Sequence, residues 1–422
     1  MEEEEEEEEE EVVIVGAGIA GLAIALALER VGVRSLVLER SHELRASGTA
    51  ISIFPSGWRA LQVLGVDHKL SSIYPSYNTV RSTNLETGET RELSLTGTMD
   101  RVGIGVRTVH RKVLLHALAE DLPHGTIRFS SKLVSINMEP QEDSSSNVIA
   151  LHLDGGTIIK AKVLIGCDGV HSVVAQWLGL SAPVDSDRSA IRGLAEFPEG
   201  HGFRFEGKQY RSRDKRAGFV PLNDKEIYWF ITHDTSSRER ESTRHPRLIL
   251  RHVTHFLAAD FPPTFLHVVG SSDPRTVTWT HMLLRVPRDL LFGWTHRGCA
   301  TVAGDAMHPM TQDLPLGGCA ALEDAVVLAR HLGPALNVSP RRPPAEVEKA
   351  IAAYVKERRW RVAGLVAGSY ISGWAQRGGG GVMSRMWRWV VRFVCVRVFA
   401  RYVSPRIVDA INYDCGNLNT VD

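Results

Sequence analysis

Residues 12–39 read VVIVGAGIAGLAIALALERVGVRSLVLE, and this stretch decides the fold. Val12 to Val15 is a continuous β-branched run, which suits a strand buried on both faces. Gly16-Ala17-Gly18-Ile19-Ala20-Gly21 follows as a turn, and Ile19 to Arg30 reads as a helix rich in Ala and Leu, ended by Gly32. Arg34 to Leu38 returns as an apolar strand that closes on Glu39. Together they make a βαβ unit of about 30 residues, the setting in which GxGxxG binds a dinucleotide. Gly16 permits the tight turn, Gly18 lets the backbone approach a pyrophosphate, and Gly21 lets helix and strand pack closely. The helix N-terminus turns free N–H groups toward the phosphates. A carboxylate at Glu39 accepts hydrogen bonds from ribose hydroxyls and disfavours a 2′-phosphate, so FAD or NAD is expected rather than NADP.

Two later strand ends carry related signals. Val163 to Ile165 reads as a buried strand that runs into Cys167-Asp168-Gly169-Val170-His171-Ser172. An Asp-Gly there can set a carboxylate and free N–H groups beside a ligand, although alone it also fits a plain turn. Cys299 to Ala303 reads as a short buried strand, followed by GDAMHPMTQDLPLGGCAALEDA over residues 304–325. Asp305 leaves the strand's carboxyl end, and Gly317-Gly318 opens a helix running to Arg330. A helix N-terminus with bare glycines can lie against an aromatic ring edge and stabilise negative charge on it. That suits a reduced flavin, so the two glycine motifs together imply one extended FAD held at both ends.

Between these motifs, Ile51–Ile53 reads as a strand, Ser56–Leu64 as a helix, and residues 77–98 as a hairpin around Glu86-Thr87-Gly88. Lys112–Glu120 reads as a helix, and Thr126–Phe129, Leu133–Met138, Val148–Leu153 and Thr157–Lys160 as strands, with a polar loop over 139–147. Residues 185–290 differ in texture: Gly218–Pro221, Ile227–His233 and Thr276–Thr280 suit an antiparallel sheet, with helical Arg247–Ala258 between them. Arg216, Phe219, Pro221, Tyr228 and Trp229 fall on two adjacent strands, where ordinary aromatic packing accounts for most of them.

The chain has 422 residues, 43 % of them hydrophobic and 23 % charged, with 49 basic and 49 acidic side chains. Such a balance argues against a nucleic-acid partner. The five cysteines are odd in number and have no metal-ligand spacing, so reduced thiols and no metal are expected. No signal, transit or transmembrane segment is read, and a cytoplasmic location is expected. Glu2 to Glu11 is an unbroken acidic run, expected to be disordered up to about Glu10. Residues 344–371 read as a long charged helix packed across the two domains. In 383–403, Arg385, Arg388 and Arg392 share a helical face while Arg397 and Arg401 lie opposite. Packing on the protein body is therefore favoured over membrane contact.

GAGIAG with Glu39, CDGVHS, and GDAMHP before a glycine-opened helix, in that order, resemble the fingerprints of class A flavoprotein monooxygenases. The likeness is greatest to the plant monooxygenase branch, beside salicylate and urate hydroxylase-like enzymes and zeaxanthin epoxidase, and covers residues 12 to about 416. It implies an α/β fold: a Rossmann-like FAD-binding domain with an inserted antiparallel-sheet substrate domain, as in para-hydroxybenzoate hydroxylase, and C-terminal helices. The corresponding division is a tail at 1–10, an FAD-binding domain at 11–75, 101–184 and 291–335, a substrate domain at 76–100 and 185–290, and a helical region at 336–422.

The resemblance also implies roles. Gly16, Gly18, Ala20 and Gly21 hold the pyrophosphate, Glu39 the adenosine ribose with Arg40 beside it, and Ser52 lies near the nucleotide. Arg111 contacts the ribityl-phosphate region, the backbone of Val134 the adenine, and Asp168 and Gly169 both FAD and a transient NADH or NADPH. Asp305 binds the ribityl chain, while Pro309, Gly317 and Gly318 frame the isoalloxazine. The implied reaction inserts one atom of O₂ into a small aromatic or unsaturated substrate through a flavin C4a-hydroperoxide. Urate hydroxylase-like relatives use an arginine and a tyrosine on the substrate sheet, and Arg216 and Tyr228 sit at similar places. His308 has a structural family role. One departure is Pro315-Leu316, where the family commonly has Gly-Gln. Proline lacks an N–H donor, so altered ring support is expected there, and a flavin-binding protein with lost or altered oxygenase activity is the alternative.

Overall fold

The computed structural model describes residues 7–44, 49–95, 105–140, 147–212, 214–235, 245–337, 344–376 and 410–419. It opens with β1 (Glu7–Val15), α1 (Ile19–Arg30) and β2 (Leu36–Leu38). Next come β3 (Ala50–Ile53), α2 (Pro55–Leu64), α3 (Asp67–Ser71), β4 (Thr79–Asn84), β5 (Thr90–Ser94), β6 (Arg107–His110) and α4 (Arg111–Ala119). β7 (Ile127–Arg128), β8 (Leu133–Pro140), β9 (Asn147–Leu153), β10 (Ile158–Gly166) and α5 (Val173–Trp177) follow. The middle of the chain forms β11 (Val184–Glu196), β12 (Gly207–Arg211), β13 (Lys215–Pro221), β14 (Glu226–Asp234), α6 (Pro246–His252), α7 (Pro263–Gly270) and β15 (Thr278–Leu284). It closes with α8 (Pro287–Phe292), β16 (His296–Arg297), β17 (Ala300–Val302), α9 (Gly317–Asn337) and α10 (Pro344–Gln376).

The first sheet has the order β16-β17-β10-β1-β2-β7, with β9 joined to β10 and β8 to β9. β17, β10, β1, β2 and β7 run parallel. Register aligns Val15 with Gly166 and Gly166 with Val302, so the three motifs seen in the sequence leave the sheet side by side at one edge. Carboxyl edges of parallel strands are where such sheets bind ligands. One apolar core joins α1, α2, α4 and α9, and a second, on the other side, joins α5, α8 and α10. Tyr354, Val362 and Val366 carry α10 against both.

The second sheet has the order β15-β11-β14-β13-β12-β4-β5. It is antiparallel except where β12 lies parallel to β4, because the excursion from β5 to β12 returns in the same direction. Ile191, Ala217, Phe219, Trp229 and Ile231 point to one face and pack under α6 and α7. The opposite face carries Arg216, Val220, Tyr228 and Thr232, which the register places together. Leu194 and Tyr228 meet the first core from this side. β3 and β6 form a small separate pair.

Several expectations need correction. The acidic run is not disordered to Glu10: β1 begins at Glu7 and pairs with β10 from Ile158. The backbone ladder outweighs the local repulsion, and Glu8 gains the guanidinium of Arg128 at 3.0 Å. Thr157–Lys160 and Val163–Ile165, expected as two strands, fall in one, Ile158–Gly166. Helical Arg247–Ala258 is α6 continued by a π turn over Val253–Leu257. The basic 383–403 segment, residues 1–6 and most of the 139–147 loop lie outside the described residues.

Candidate active site

At the β1–α1 turn, sterics select glycine twice. Gly16 has φ +104°, and a Cβ there would lie 2.5 Å from the Cys167 carbonyl oxygen. A Cβ on Gly21 would lie 1.9 Å from the Gly16 oxygen. Gly18 differs: nothing lies within 4 Å of its Cβ position, so it borders open space at the helix N-terminus. Glu39, at the end of β2, accepts hydrogen bonds from the N–H of Ala17 and of Ser41, both at 2.9 Å. Its carboxylate thus sits against the turn. Asp168 is largely occupied as a helix cap, accepting from Ser172 Oγ at 2.5 Å and Val173 N at 2.7 Å. Burial raises its pKa, against those hydrogen bonds. Gly169 beside it has φ +82° and free space at its Cβ position.

The Gly304–Pro309 segment is held by buried charge. Asp324 of α9 is fully buried; its Oδ2 accepts from Gly304 N at 2.9 Å and meets His308 Nε2 at 2.6 Å. Its Oδ1 accepts from Arg358 Nε of α10 at 2.7 Å. Burial pushes this carboxyl up, but His308 and Arg358 outweigh it and bring the pKa to about 2. Glu323, also buried, takes Arg358 at 2.8 Å and Arg361 at 2.6 Å. From the other side, buried Arg285 donates to the carbonyls of Met307 at 2.9 Å and Ala306 at 3.2 Å. Arg285 N donates to the Pro309 carbonyl at 3.0 Å. His308 is therefore structural in this chain.

Asp305 points away from this network and stays exposed. Its charge acts on Arg111, the first residue of α4. Burial lowers the Arg111 pKa, Asp305 opposes that, and Arg192 of β11 adds to it. The Nε atoms of Arg111 and Arg192 are buried and have no hydrogen-bond partner. Arg192 also acts on Tyr228, whose hydroxyl burial pushes up. Arg111, Asp305, Arg192 and Tyr228 are thus electrostatic neighbours between the first sheet and the open face of the second. A cavity of about 570 Å³ lined by His252, Phe256 and Trp279 shares none of these residues and opens elsewhere.

A family profile described as an FAD binding domain matches residues 9–369. Monooxygenase 2 of Arabidopsis thaliana is 37 % identical over 415 residues, 96 % of this chain and 97 % of that relative. A protein of Mycolicibacterium vanbaalenii named FAD-dependent urate hydroxylase is 28 % identical over 356 residues, 83 % of this chain and 85 % of its own length. The chain belongs to the class A FAD-dependent monooxygenases. The crystal structure of Klebsiella pneumoniae HpxO complexed with FAD and uric acid superposes with a TM-score of 0.77 at 23 % identity, covering 96 % of each chain, a likeness of fold.

The monooxygenase has the features that FAD requires. Gly18 leaves room at a helix N-terminus, Glu39 stands beside the turn, and Arg111 keeps an unpartnered guanidinium nitrogen opposite Asp305. These are the residues that would hold the cofactor along its length. Ala20 is buried in α1 and fits against Gly304, whose Cβ position lies 2.7 Å from the Ala20 methyl. Arg40 is exposed just past Glu39, and Val134 is exposed on β8. Ser52 is occupied with Thr108, Oγ to Oγ1 at 2.9 Å, across β3 and β6. Pro309 is buried, and a Cβ on Gly318 would strike Ile51 at 2.3 Å, whereas Gly317 has only ordinary contact with Met310.

Arg216 and Tyr228 share a sheet face, and the buried Nε of Arg216 has no hydrogen-bond partner. Arg216 Nη1 donates to the Asp313 carbonyl at 3.1 Å and Nη2 to Gln209 Oε1 at 3.1 Å. Burial and the neighbouring Arg211 lower its pKa to about 10. Sequence reading missed Arg192, the arginine that neighbours Tyr228 and Arg111. The signal was available: β11 alternates Arg188, Ala190, Arg192 and Leu194 on the face opposite Ile191 and Ala195. Arg188, Arg285 and Arg358 had no motif to reveal them; Asp313 and Asp324 lie within the 304–325 stretch, but nothing there names their partners. Among the described residues no cluster suits a metal ion, and no helix is long and apolar enough to cross a membrane. Cys167, Cys299, Cys319 and Cys415 are free thiols.

Proposed function

We propose that the enzyme consumes NADH or NADPH and O₂ to oxygenate a small aromatic or otherwise unsaturated molecule that carries an acidic group. The single observation that carries this reading is that Arg192, whose Nη2 donates to Thr280 Oγ1 at 3.2 Å while its buried Nε has no partner, acts electrostatically on both Arg111 and Tyr228. The bound FAD supplies electron acceptance and oxygen activation; the protein supplies placement and exclusion of water. Arg192 draws an anionic oxygen or nitrogen of the substrate toward the sheet. Tyr228, with its pKa raised, stays protonated at neutral pH and donates a hydrogen bond to that group. Arg111 and Asp305 serve the cofactor side. Arg216 lines the same sheet face but acts through the loop it holds. We take residues 11–75, 101–184 and 291–335 as the FAD-binding part, and 76–100 and 185–290 as the substrate part. The urate named for HpxO and for the M. vanbaalenii relative has the matching chemistry: planar, unsaturated and acidic.

A panel of phenolic, carboxylated and purine-like molecules tests this, read by NAD(P)H oxidation, O₂ uptake and mass gain of product. Arg192→Gln should raise KM about tenfold or more for acidic members, from loss of a charge-assisted hydrogen bond. Wild-type protein that carries FAD yet oxidises neither NADH nor NADPH with any member would sink the reading and favour the non-oxygenating alternative.

A further inference from the structure

Residues 311–316 lie between the Gly304–Pro309 segment and the glycine end of α9, and four anchors hold them. Asp313 is buried, and both its carboxylate oxygens accept from Arg188 Nη1, at 2.6 and 2.7 Å. Arg188 is itself buried on β11 and also donates from Nη2 to Thr232 Oγ1 at 3.2 Å. Arg216 of β13 takes the Asp313 carbonyl. Leu314 comes within 3.1 Å of the Cβ position of Gly368 on α10. Leu316 is buried in the core shared by α1 and α9, and its carbonyl accepts the Ala320 N–H at 2.9 Å, which starts α9. Pro315 alone is exposed.

A surface turn needs none of this. Burying an ion pair is costly unless both charges are fully hydrogen-bonded, so such a pair chiefly specifies position. We propose that Arg188 and Asp313 are positioning residues: their pair, with Arg216 on the adjacent carbonyl, clamps the ring-end loop of the FAD site to the substrate sheet. The clamp makes the placement of the loop and that of Arg192, four residues along the same strand, a single geometric unit. It also takes over the support that Pro315-Leu316 does not provide. Pro315 lacks an N–H and Leu316 points into the core, so the loop is fixed by Asp313 and by apolar burial instead. This proposal extends the functional reading above by naming what sets the substrate sheet against the cofactor.

The test uses full-length protein loaded with FAD, comparing Asp313→Asn, the charge-balanced Arg188→Gln/Asp313→Asn pair, and Ile231→Val as a control. Ile231 lies on the far face of the same sheet and weakens packing without touching the pair. Two readouts are independent of turnover: amide hydrogen exchange in peptides spanning 308–320, and iodide quenching of bound-flavin fluorescence. Asp313→Asn and the double variant should exchange about tenfold faster in that peptide, since a locally anchored segment opens more readily once its anchor is cut. Their quenching constants should rise about threefold while FAD stoichiometry holds, because the adenosine end is intact. Ile231→Val should change neither. If the single variant does not fold, the double variant, which removes both charges of the buried pair and leaves only half-exposed Asp234 without its Arg188 contact, decides. Unchanged exchange and quenching in the folded variants, or an equal rise in Ile231→Val, would overturn the clamp. Failure of wild type to oxidise NAD(P)H would instead strike the functional reading and leave both measurements interpretable.

Discussion

At the β1–α1 turn the holding is done by absent side chains, whereas at the Gly304–Pro309 segment it is done by buried charge. In the turn, Cβ atoms on Gly16 or Gly21 would collide with backbone oxygens at 2.5 and 1.9 Å. In the segment, one carboxylate, Asp324, secures Gly304 N, His308 and Arg358, while Arg285 takes the carbonyls from the opposite side. Helix and strand must approach closely at the β1–α1 turn, which only glycine allows. The Gly304–Pro309 segment instead joins two sheets and two helices, and charged side chains reach across such gaps where backbone cannot. One consequence is that damage should differ in kind: steric at the first end, electrostatic at the second.

The largest effect should come from cutting the charge network. Asp324→Ala strips buried His308 of its carboxylate and leaves Arg358 with Glu323 alone, and urea unfolding should show a loss of about 3–5 kcal/mol. A loss below about 1 kcal/mol would mean that the segment is held by packing alone, erasing the contrast. Gly21→Ala should cost less, about 1–3 kcal/mol by overpacking. Its signature is a fall in bound FAD measured by absorbance, since the helix N-terminus is pushed off the sheet. Full FAD occupancy in that variant would show that the turn tolerates what the geometry forbids.

Acid sharpens the same comparison. The Asp324 pKa is depressed from 3.8 to about 2, so its contribution is complete above the unfolded value and lost as pH falls through the folded one. Stability should therefore decline by about 2 kcal/mol between pH 4 and pH 2 on account of this group. Asp324→Asn should flatten that part of the profile, and parallel wild-type and variant profiles would contradict the assignment. The smallest change is expected at the substrate face: Tyr228→Phe should alter unfolding free energy by no more than about 0.5 kcal/mol. It should nonetheless weaken acidic substrates, measured as KM.

This division also explains what was legible in the sequence. Glycine positions that avoid collisions are local, so GAGIAG, the α1 helix and the strand ends at Cys167 and Ala303 could be read directly. The hairpin and the β13–β14 pair were equally local. Charge pairs across long separations were not. Arg188 and Asp313 stand 125 residues apart, and Arg358 and Asp324 stand 34 apart with no shared motif. Arg216 was named from the resemblance to urate hydroxylase-like relatives, and nothing in the sequence showed that its guanidinium also reaches the Asp313 carbonyl. Glu7–Glu10 escaped for the opposite reason. Their local repulsion was visible, but the ladder offered by Ile158–Ala161 was not.

On the reading proposed above, one FAD spans both ends. Calorimetric titration of FAD and of ADP into apoprotein, for wild type, Gly18→Val and Asp305→Asn, tests it most directly. One FAD should bind per chain; both variants should weaken it, and only Gly18→Val should weaken ADP. If Asp305→Asn leaves FAD affinity untouched, or if two FAD molecules bind, the two motifs do not hold a single cofactor.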